Sequence, residues 1–238
     1  MKKRIVTIAL VVALLATCIT GATLSYLTDK DAKTNTFTVG NVEIKLLEST
    51  LHRDNDKATN EQIIANAEKY SEYLKEAGKN IVPGEWVMKA PYIQNVGKND
   101  AYVRTRVRFE KDEALNLYVM EYTTAQEKNA IVKSMALLDS NGNLIKEVAT
   151  YDEVKTATED WAYLEYTFTY TEILPAAAEG ATSVTYYAPI WKFCVKNHLD
   201  NEELAELALD QIQVFADAIQ AEGFDSAEKA FAAFDAQD

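Results

Sequence analysis

Apolar positions along the chain recur with two periods. From Ala101 to Glu110 they alternate strictly. Ala101, Val103, Thr105, Val107 and Phe109 share one face, and Tyr102, Arg104, Arg106 and Arg108 share the other. That alternation predicts a strand with one face on a core. Between Thr59 and Gly78 the period lengthens. Ile63, Ile64, Ala67, Tyr70, Leu74 and Ala77 recur at helical spacing, Thr59 and Gln62 form a capping box, and Gly78 is a natural stop. A helix over about 60–77 is expected.

Turn signals divide the rest into short extended runs. Pro83-Gly84 leads into Glu85–Asn95, and Gly97-Lys98-Asn99-Asp100 leads into Ala101–Glu110, which predicts an antiparallel hairpin. Phe37–Leu46 alternates loosely around Gly40-Asn41 and predicts a bulged strand or strand pair. Ile131–Leu138 and Leu144–Ala149 flank Asp139-Ser140-Asn141-Gly142-Asn143, a strong hairpin signal. Asp139, Asn141 and Asn143 also sit at alternate positions, as in a calcium loop. Leu144 and Thr150 stand where an EF-hand needs Gly and Glu, so the turn reading is preferred. Trp161–Tyr170 and Val184–Val195 are aromatic and β-branched, as core strands are. Asp210–Gln220 fits a strand through Ile212, Val214, Ala216 and Ala218, and fits a helix through Leu207, Ile212, Phe215 and Ile219. Asp225 and Glu228 suggest a capping box for a helix over about 226–235. Many short strands and two helices predict a mainly β fold, a jelly-roll-like antiparallel β-sandwich with an inserted helix and a short C-terminal helix.

The first thirty residues carry a different pattern. Lys2, Lys3 and Arg4 precede an apolar run from Ile5 to Ile19, and small residues follow. This is the layout of a secretory signal peptide, with cleavage expected between Ser25 and Tyr26. The division expected is a signal over 1–25 and a single domain over 26–238. Two other readings of the leader are an uncleaved anchor, since Ile5–Leu24 is about long enough to span a bilayer, and a lipobox at Leu15-Ala16-Thr17-Cys18.

Charge narrows the partners. The 238 residues carry 24 Lys+Arg against 37 Asp+Glu, a net charge of −13. Without the three N-terminal cations the balance is 21 against 37, or −16. Such a surface repels phosphate, so neither nucleic acid nor anionic lipid is an expected broad-surface partner. After cleavage Cys194 is the only cysteine, so no intramolecular disulfide can form.

Two blocks, Gly21-Ala22-Thr23-Leu24-Ser25-Tyr26-Leu27-Thr28-Asp29 with Thr36-Phe37-Thr38-Val39-Gly40-Asn41-Val42-Glu43-Ile44, and Asn95-Val96-Gly97-Lys98-Asn99-Asp100-Ala101-Tyr102-Val103-Arg104, resemble the TasA/camelysin family. The segment Ile212–Phe224 is similar to a family segment that forms a strand, which favours the strand reading there. Ser25-Tyr26-Leu27 departs from the family's Ala-rich cleavage site. The resemblance covers the first forty-odd residues, Pro83–Glu110 and the last thirty or so, and is loose over 48–80 and 111–180. It implies processing by a SipW-type signal peptidase and secretion to the extracellular matrix or cell surface, with no stable membrane anchor after cleavage. It also implies a role as subunit or accessory of biofilm-matrix fibres, with the same chain or related matrix subunits as partners.

Chemistry is sparse. There is no Gly-x-Ser-x-Gly, no Walker loop, no Gly-x-Gly-x-x-Gly and no His-Glu-x-x-His. Cys194 and His198 are a conceivable nucleophile and base, but a buried structural Cys is the simpler reading. Acidic pairs such as Asp29/Asp31 and Asp54/Asp56 are read as solvated loops, and no metal site, cofactor or catalytic residue is assigned. The stripe Arg104, Arg106, Arg108 could hold carboxylates of a glycan or a neighbouring subunit, or could be a solvated strand face with Glu or Asp opposite on the next strand, the preferred reading. Trp86, Trp161 and Trp191 could form a sugar platform, although core packing explains aromatic wealth more simply.

Assembly by strand addition is the expected function, with Tyr26–Leu46 as the segment offered and Tyr26, Phe37, Val39, Val42 and Ile44 as its contacts. The alternatives are a camelysin-like cell-surface metallopeptidase and a monomeric surface module for glycans or proteins.

Overall fold

The computed structural model describes residues 28–32, 42–78, 82–121, 130–177, 182–199 and 212–236. Its strands are β1 (Thr28–Ala32), β2 (Ile44–Ser49), β3 (Trp86–Met88), β4 (Ala90–Asn95), β5 (Ala101–Glu110), β6 (Leu117–Glu121), β7 (Ile131–Leu138), β8 (Leu144–Val148), β9 (Tyr163–Tyr170), β10 (Ser183–Val184), β11 (Ile190–Val195) and β12 (Gln213–Gln220). The helices are α1 (Arg53–Asp56), α2 (Asn60–Ala67), α3 (Tyr70–Gly78), α4 (Lys111–Asn116), α5 (Tyr151–Thr156) and α6 (Ala227–Asp235). The fold is mainly β and sandwich-like. A six-stranded antiparallel sheet in the order β1-β12-β5-β9-β7-β8 faces two three-stranded sheets, β10-β4-β2 and β3-β11-β6.

The alternation in β5 explains why the sheets stack. Val103, Val107 and Phe109 enter one hydrophobic cluster with Leu137, Leu164 and Phe168 of the large sheet and with Ile44, Ile93, Phe193 and Val195 of the opposing layer. Each such side chain contributes about 1.5–3 kcal/mol by leaving water. The opposing layer is divided where Lys89 separates β3 from β4. The Lys89 backbone N–H donates to the Trp191 carbonyl at 2.8 Å, which ties the two small sheets together. Its buried ammonium is neutralised by Glu48 at 2.5 Å.

Several expectations change in the folded chain. Glu85–Asn95 and Ala101–Glu110 do not form a hairpin. β4 pairs with β2 and β10, whereas β5 pairs with β12 and β9. The Gly97–Asp100 segment instead carries the chain from one layer to the other. Val96 and Gly97 donate their N–H groups to the Glu43 carbonyl, and the Asn95 amide donates to the carbonyls of Asn99 and Leu174. These long-range partners compete with the local turn.

The predicted helix over 60–77 is two helices, broken at Glu68-Lys69. Its start is as expected, because Thr59 Oγ1 accepts from Gln62 N–H while Gln62 Oε1 accepts from Thr59 N–H. The break follows from two anchors. Asn66 Oδ1 accepts from Ser49 Oγ and Thr50 N–H, whereas Tyr70 and Tyr73 bond through their hydroxyls to the Met88 backbone. One end is therefore tied beyond β2 and the other to β3.

Val184–Val195 is likewise divided, into β10 and β11. The C-terminal helix forms as predicted, but Ser226 caps it: its Oγ accepts from Lys229 N–H, so the box expected from Asp225 and Glu228 is not used. The strand alternative is the one realised over 213–220. The Asn-Gly hairpin joins β7 and β8, with Gly142 at φ +84° and the Asp139 carboxylate accepting from Asn141 N–H, Asn143 N–H and the Asn143 amide.

Candidate functional site

The outer face of the six-stranded sheet concentrates the charge. Arg104, Arg106 and Arg108 point away from the core because they alternate with buried β5 residues. Their partners come from both flanking strands. Asp217 of β12 is the register partner of Arg104, and Glu165 of β9 is that of Arg108. Asp217 is fully buried, at 0% exposure. It accepts from Arg104 Nε at 2.6 Å and from Arg106 Nε and Nη2 at 2.9 and 3.1 Å. Glu165 accepts from Arg108 Nε and Nη2 at 3.0 and 2.7 Å and lies 3.7 Å from Arg106.

Aromatic rings and α6 complete this ladder. Phe215 lies under both Arg106 and Arg108, at 5.1 and 5.2 Å from their guanidinium carbons. Arg104 packs over Phe231 and Phe234 of α6, at 4.6 and 5.1 Å, and makes a bidentate pair with Asp235 at 2.9 and 2.6 Å. Only 11% of its side chain is exposed. Burial opposes its charge, but Asp235 and Asp217 outweigh burial and hold the guanidinium above its usual range. The ladder thus closes on internal carboxylates. Beside it, Arg104, Arg106, Ser134, Leu144, Glu147 and Thr167 border a depression of about 390 Å³.

Beside Asp217 lies the edge of the sheet. β1 pairs antiparallel with β12 in the register Thr28↔Ile219, Asp29↔Ala218, Lys30↔Asp217, Asp31↔Ala216 and Ala32↔Phe215. Its sequence, TDKDA, contains no large apolar residue. The strand is held through a five-residue main-chain ladder rather than through apolar anchors of its own.

The other candidate residues fall elsewhere. Ser25, Tyr26, Phe37 and Val39 lie outside the described residues, as does the expected signal segment. Val42 and Ile44 are buried in the main core, in the layer opposite the arginine ladder. Cys194 is buried, with its thiol directed to the Val195 carbonyl, and His198 is exposed in a turn beyond β11. Trp161 is buried, Trp191 is half-buried, and Trp86 is 41% exposed, with the Lys192 ammonium over the rings of both Trp86 and Trp191. Among the described residues, no group of three or more His, Cys, Asp or Glu is placed to hold a metal ion. No helix among them is long and apolar enough to cross a membrane.

Asp217, Asp235 and Phe215 escape sequence reasoning, because their partners lie more than a hundred residues away. One signal could have found Asp217: an acid within the alternating apolar run of β12, facing a strand rich in arginine. Comparison with family models, with curated proteins and with solved structures finds no match to this chain.

Proposed function

We propose that this chain is an exported structural subunit of extracellular matrix fibres that assembles by strand addition. The observation that carries the reading is the placement of β1: an N-terminal strand at the edge of the six-stranded sheet, without large apolar residues, paired to β12 through its backbone. An identical strand from a second copy would restore the same ladder, so exchange trades one set of main-chain hydrogen bonds for an equal set. The balance between closed monomer and polymer then depends on concentration. The three-part leader and the TasA/camelysin resemblance support export, processing by a SipW-type signal peptidase and a place in the matrix or at the cell surface.

The test compares residues 26–238 with the same chain lacking Tyr26–Thr36, by light scattering and negative stain. The reading expects fibres or a concentration-dependent ladder of oligomers from the first and a folded monomer from the second. Polymers that survive the deletion would overturn it. A casein assay with and without chelator addresses the peptidase reading: chelator-sensitive cleavage would replace the structural role with an enzymatic one.

A further inference from the structure

The outer face of the small sheet β3-β11-β6 differs from the acidic character of the chain as a whole. Val87, Phe193, Val195 and Leu117 turn into the main core. Alternation therefore sends Trp86, Met88, Lys192, Cys194, Tyr118 and Met120 to the opposite face. The register sets them in two rows, Trp86–Cys194–Tyr118 and Met88–Lys192–Met120. Neither row holds an acid, in a chain with 37 Asp+Glu against 24 Lys+Arg.

Two aromatic rings stand open on this face, and each carries a cation. Trp86 and Tyr118 are 41% and 56% exposed. The Lys192 ammonium lies 4.8 Å from the centre of the Trp86 ring and 4.4 Å from that of Trp191. The Lys196 ammonium, one residue beyond β11, lies 5.2 Å from the ring centres of both Tyr118 and Tyr151. It donates to the Leu115 carbonyl and to the Tyr151 hydroxyl. Among the described residues, neither ammonium forms an ion pair with a carboxylate. Cys194, between the two open rings in its row, is buried beneath the side chains around it.

Size decides what such a face receives. The strands are three, six and five residues long. At the usual strand rise and spacing the strip measures roughly 14 Å by 10–20 Å, or about 150–300 Å². A stable protein partner needs about 800 Å² from each side, whereas a single extended polymer fits a strip of this width. Open indole and phenol rings offer flat apolar surface for the C–H faces of sugar rings, and ammonium groups hold carboxylates. At physiological salt the screening length is about 8 Å, so the two lysines act locally although the whole chain is acidic. A polymer charged on every unit is repelled by the acidic surface beyond the strip, which favours sparse charge.

We propose that this face binds an acidic polysaccharide in which uronate residues alternate with neutral sugars. Trp86 and Tyr118 stack on sugar rings, and Lys192 and Lys196 pair with the carboxylates. The site does not rest on strand addition, since it lies in the layer opposite β1 and β12.

The experiment titrates the full chain with a hyaluronan octasaccharide, which carries one carboxylate per disaccharide, by calorimetry at about 0.15 M salt. Saturable binding is expected. Trp86→Ala should weaken it about tenfold, whereas Trp86→Tyr, which keeps a ring, should retain most of it. Lys192→Gln should weaken it about fivefold and flatten its salt dependence, and Lys192→Arg should preserve it. Val132→Ala, at an exposed position of β7 in the other layer, should leave it unchanged. Near-ultraviolet circular dichroism checks that each variant has folded. No binding at about 1 mM oligosaccharide, about 4 kcal/mol or less of affinity, would overturn the proposal. So would equal binding of the carboxyl-reduced oligosaccharide, tighter binding of an oligoglutamate peptide or a single-stranded oligonucleotide, or an affinity untouched by Trp86→Ala. Fibres lost with binding intact count against assembly alone, and binding lost with fibres intact counts against this site alone.

Discussion

Removing the Arg104 side chain tests whether the arginine ladder is structural. Arg104→Ala leaves the fully buried Asp217 with Arg106 as its remaining ion-pair partner among the described side chains. Breaking a buried ion pair costs about 3–5 kcal/mol, and the surviving Arg106 contacts place this loss at the lower end. Two cation–π contacts, with Phe231 and Phe234, contribute about 0.5–1 kcal/mol each. The Asp235 side chain is 53% exposed, so its pair with Arg104 is discounted to about 0.5 kcal/mol or less. The whole change is expected to cost about 4 kcal/mol, a large part of a typical domain's stability. With a urea slope of about 2 kcal/mol per molar, the unfolding midpoint should fall by about 2 M. Circular dichroism in a urea series measures it, with Asp235→Ala as the control that removes only the exposed partner. A loss below about 1 kcal/mol for Arg104→Ala, equal to that of Asp235→Ala, would refute the argument and make the ladder an ordinary solvated face.

Three further changes probe the frame. Gly142→Ala places a side chain at φ +84° with its Cβ 3.4 Å from Arg108 Nη1, and should destabilise the β7–β8 hairpin by about 1–2 kcal/mol in the same urea assay. Tyr170 donates its hydroxyl to the Tyr187 carbonyl at 2.8 Å in the core, and burial pushes its pKa well above the usual tyrosine range. Tyr170→Phe should cost about 1–2 kcal/mol, and Tyr170 should stay protonated in ultraviolet titration at pH values where exposed tyrosines ionise. The Asp139 pKa is lowered, chiefly by the Asn143 amide and then by the backbone N–H of Asn143, partly opposed by desolvation. A depressed carboxylate stabilises the turn above its unfolded pKa and loses that effect as pH falls through its folded pKa. The protection of the Asn141 and Asn143 amides, measured as exchange relative to the intrinsic rate at each pH, should therefore fall in acid, below the usual aspartate range, and Asp139→Asn should remove that acid step.

What could be read from the sequence was what local physics decides. The alternation of β5 identified its buried face and its arginine face residue by residue, because a strand's period leaves only one assignment. Asn141-Gly142 located the hairpin, since few residues tolerate its backbone, and the Thr59/Gln62 box located the start of α2. Long-range competition was not legible. The Asn95–Asp100 turn reads the same whether it closes a hairpin or crosses between layers, and the choice falls to partners at Glu43 and Leu174. The break at Glu68-Lys69 has the same origin, in anchors at Ser49 and Met88. The acids that answer the arginines were expected only as a type. Their identities, Asp217, Glu165 and Asp235, required the strand order. The exposed strand face preferred in the sequence reading is instead largely covered, because α6 folds back over Arg104.

Strand exchange is the central claim, and a mixing experiment reaches it most directly. One batch of chain carries Thr28→Cys, a second carries Ile219→Cys, and the two are combined, incubated at polymer-forming concentration and oxidised. Exchange predicts a disulfide between unlike chains, at a yield that rises with concentration. If the doubly substituted chain closes its disulfide only within itself, and the mixture yields no cross-linked pair while polymers are present, β1 stays with its own sheet and assembly by strand addition is wrong.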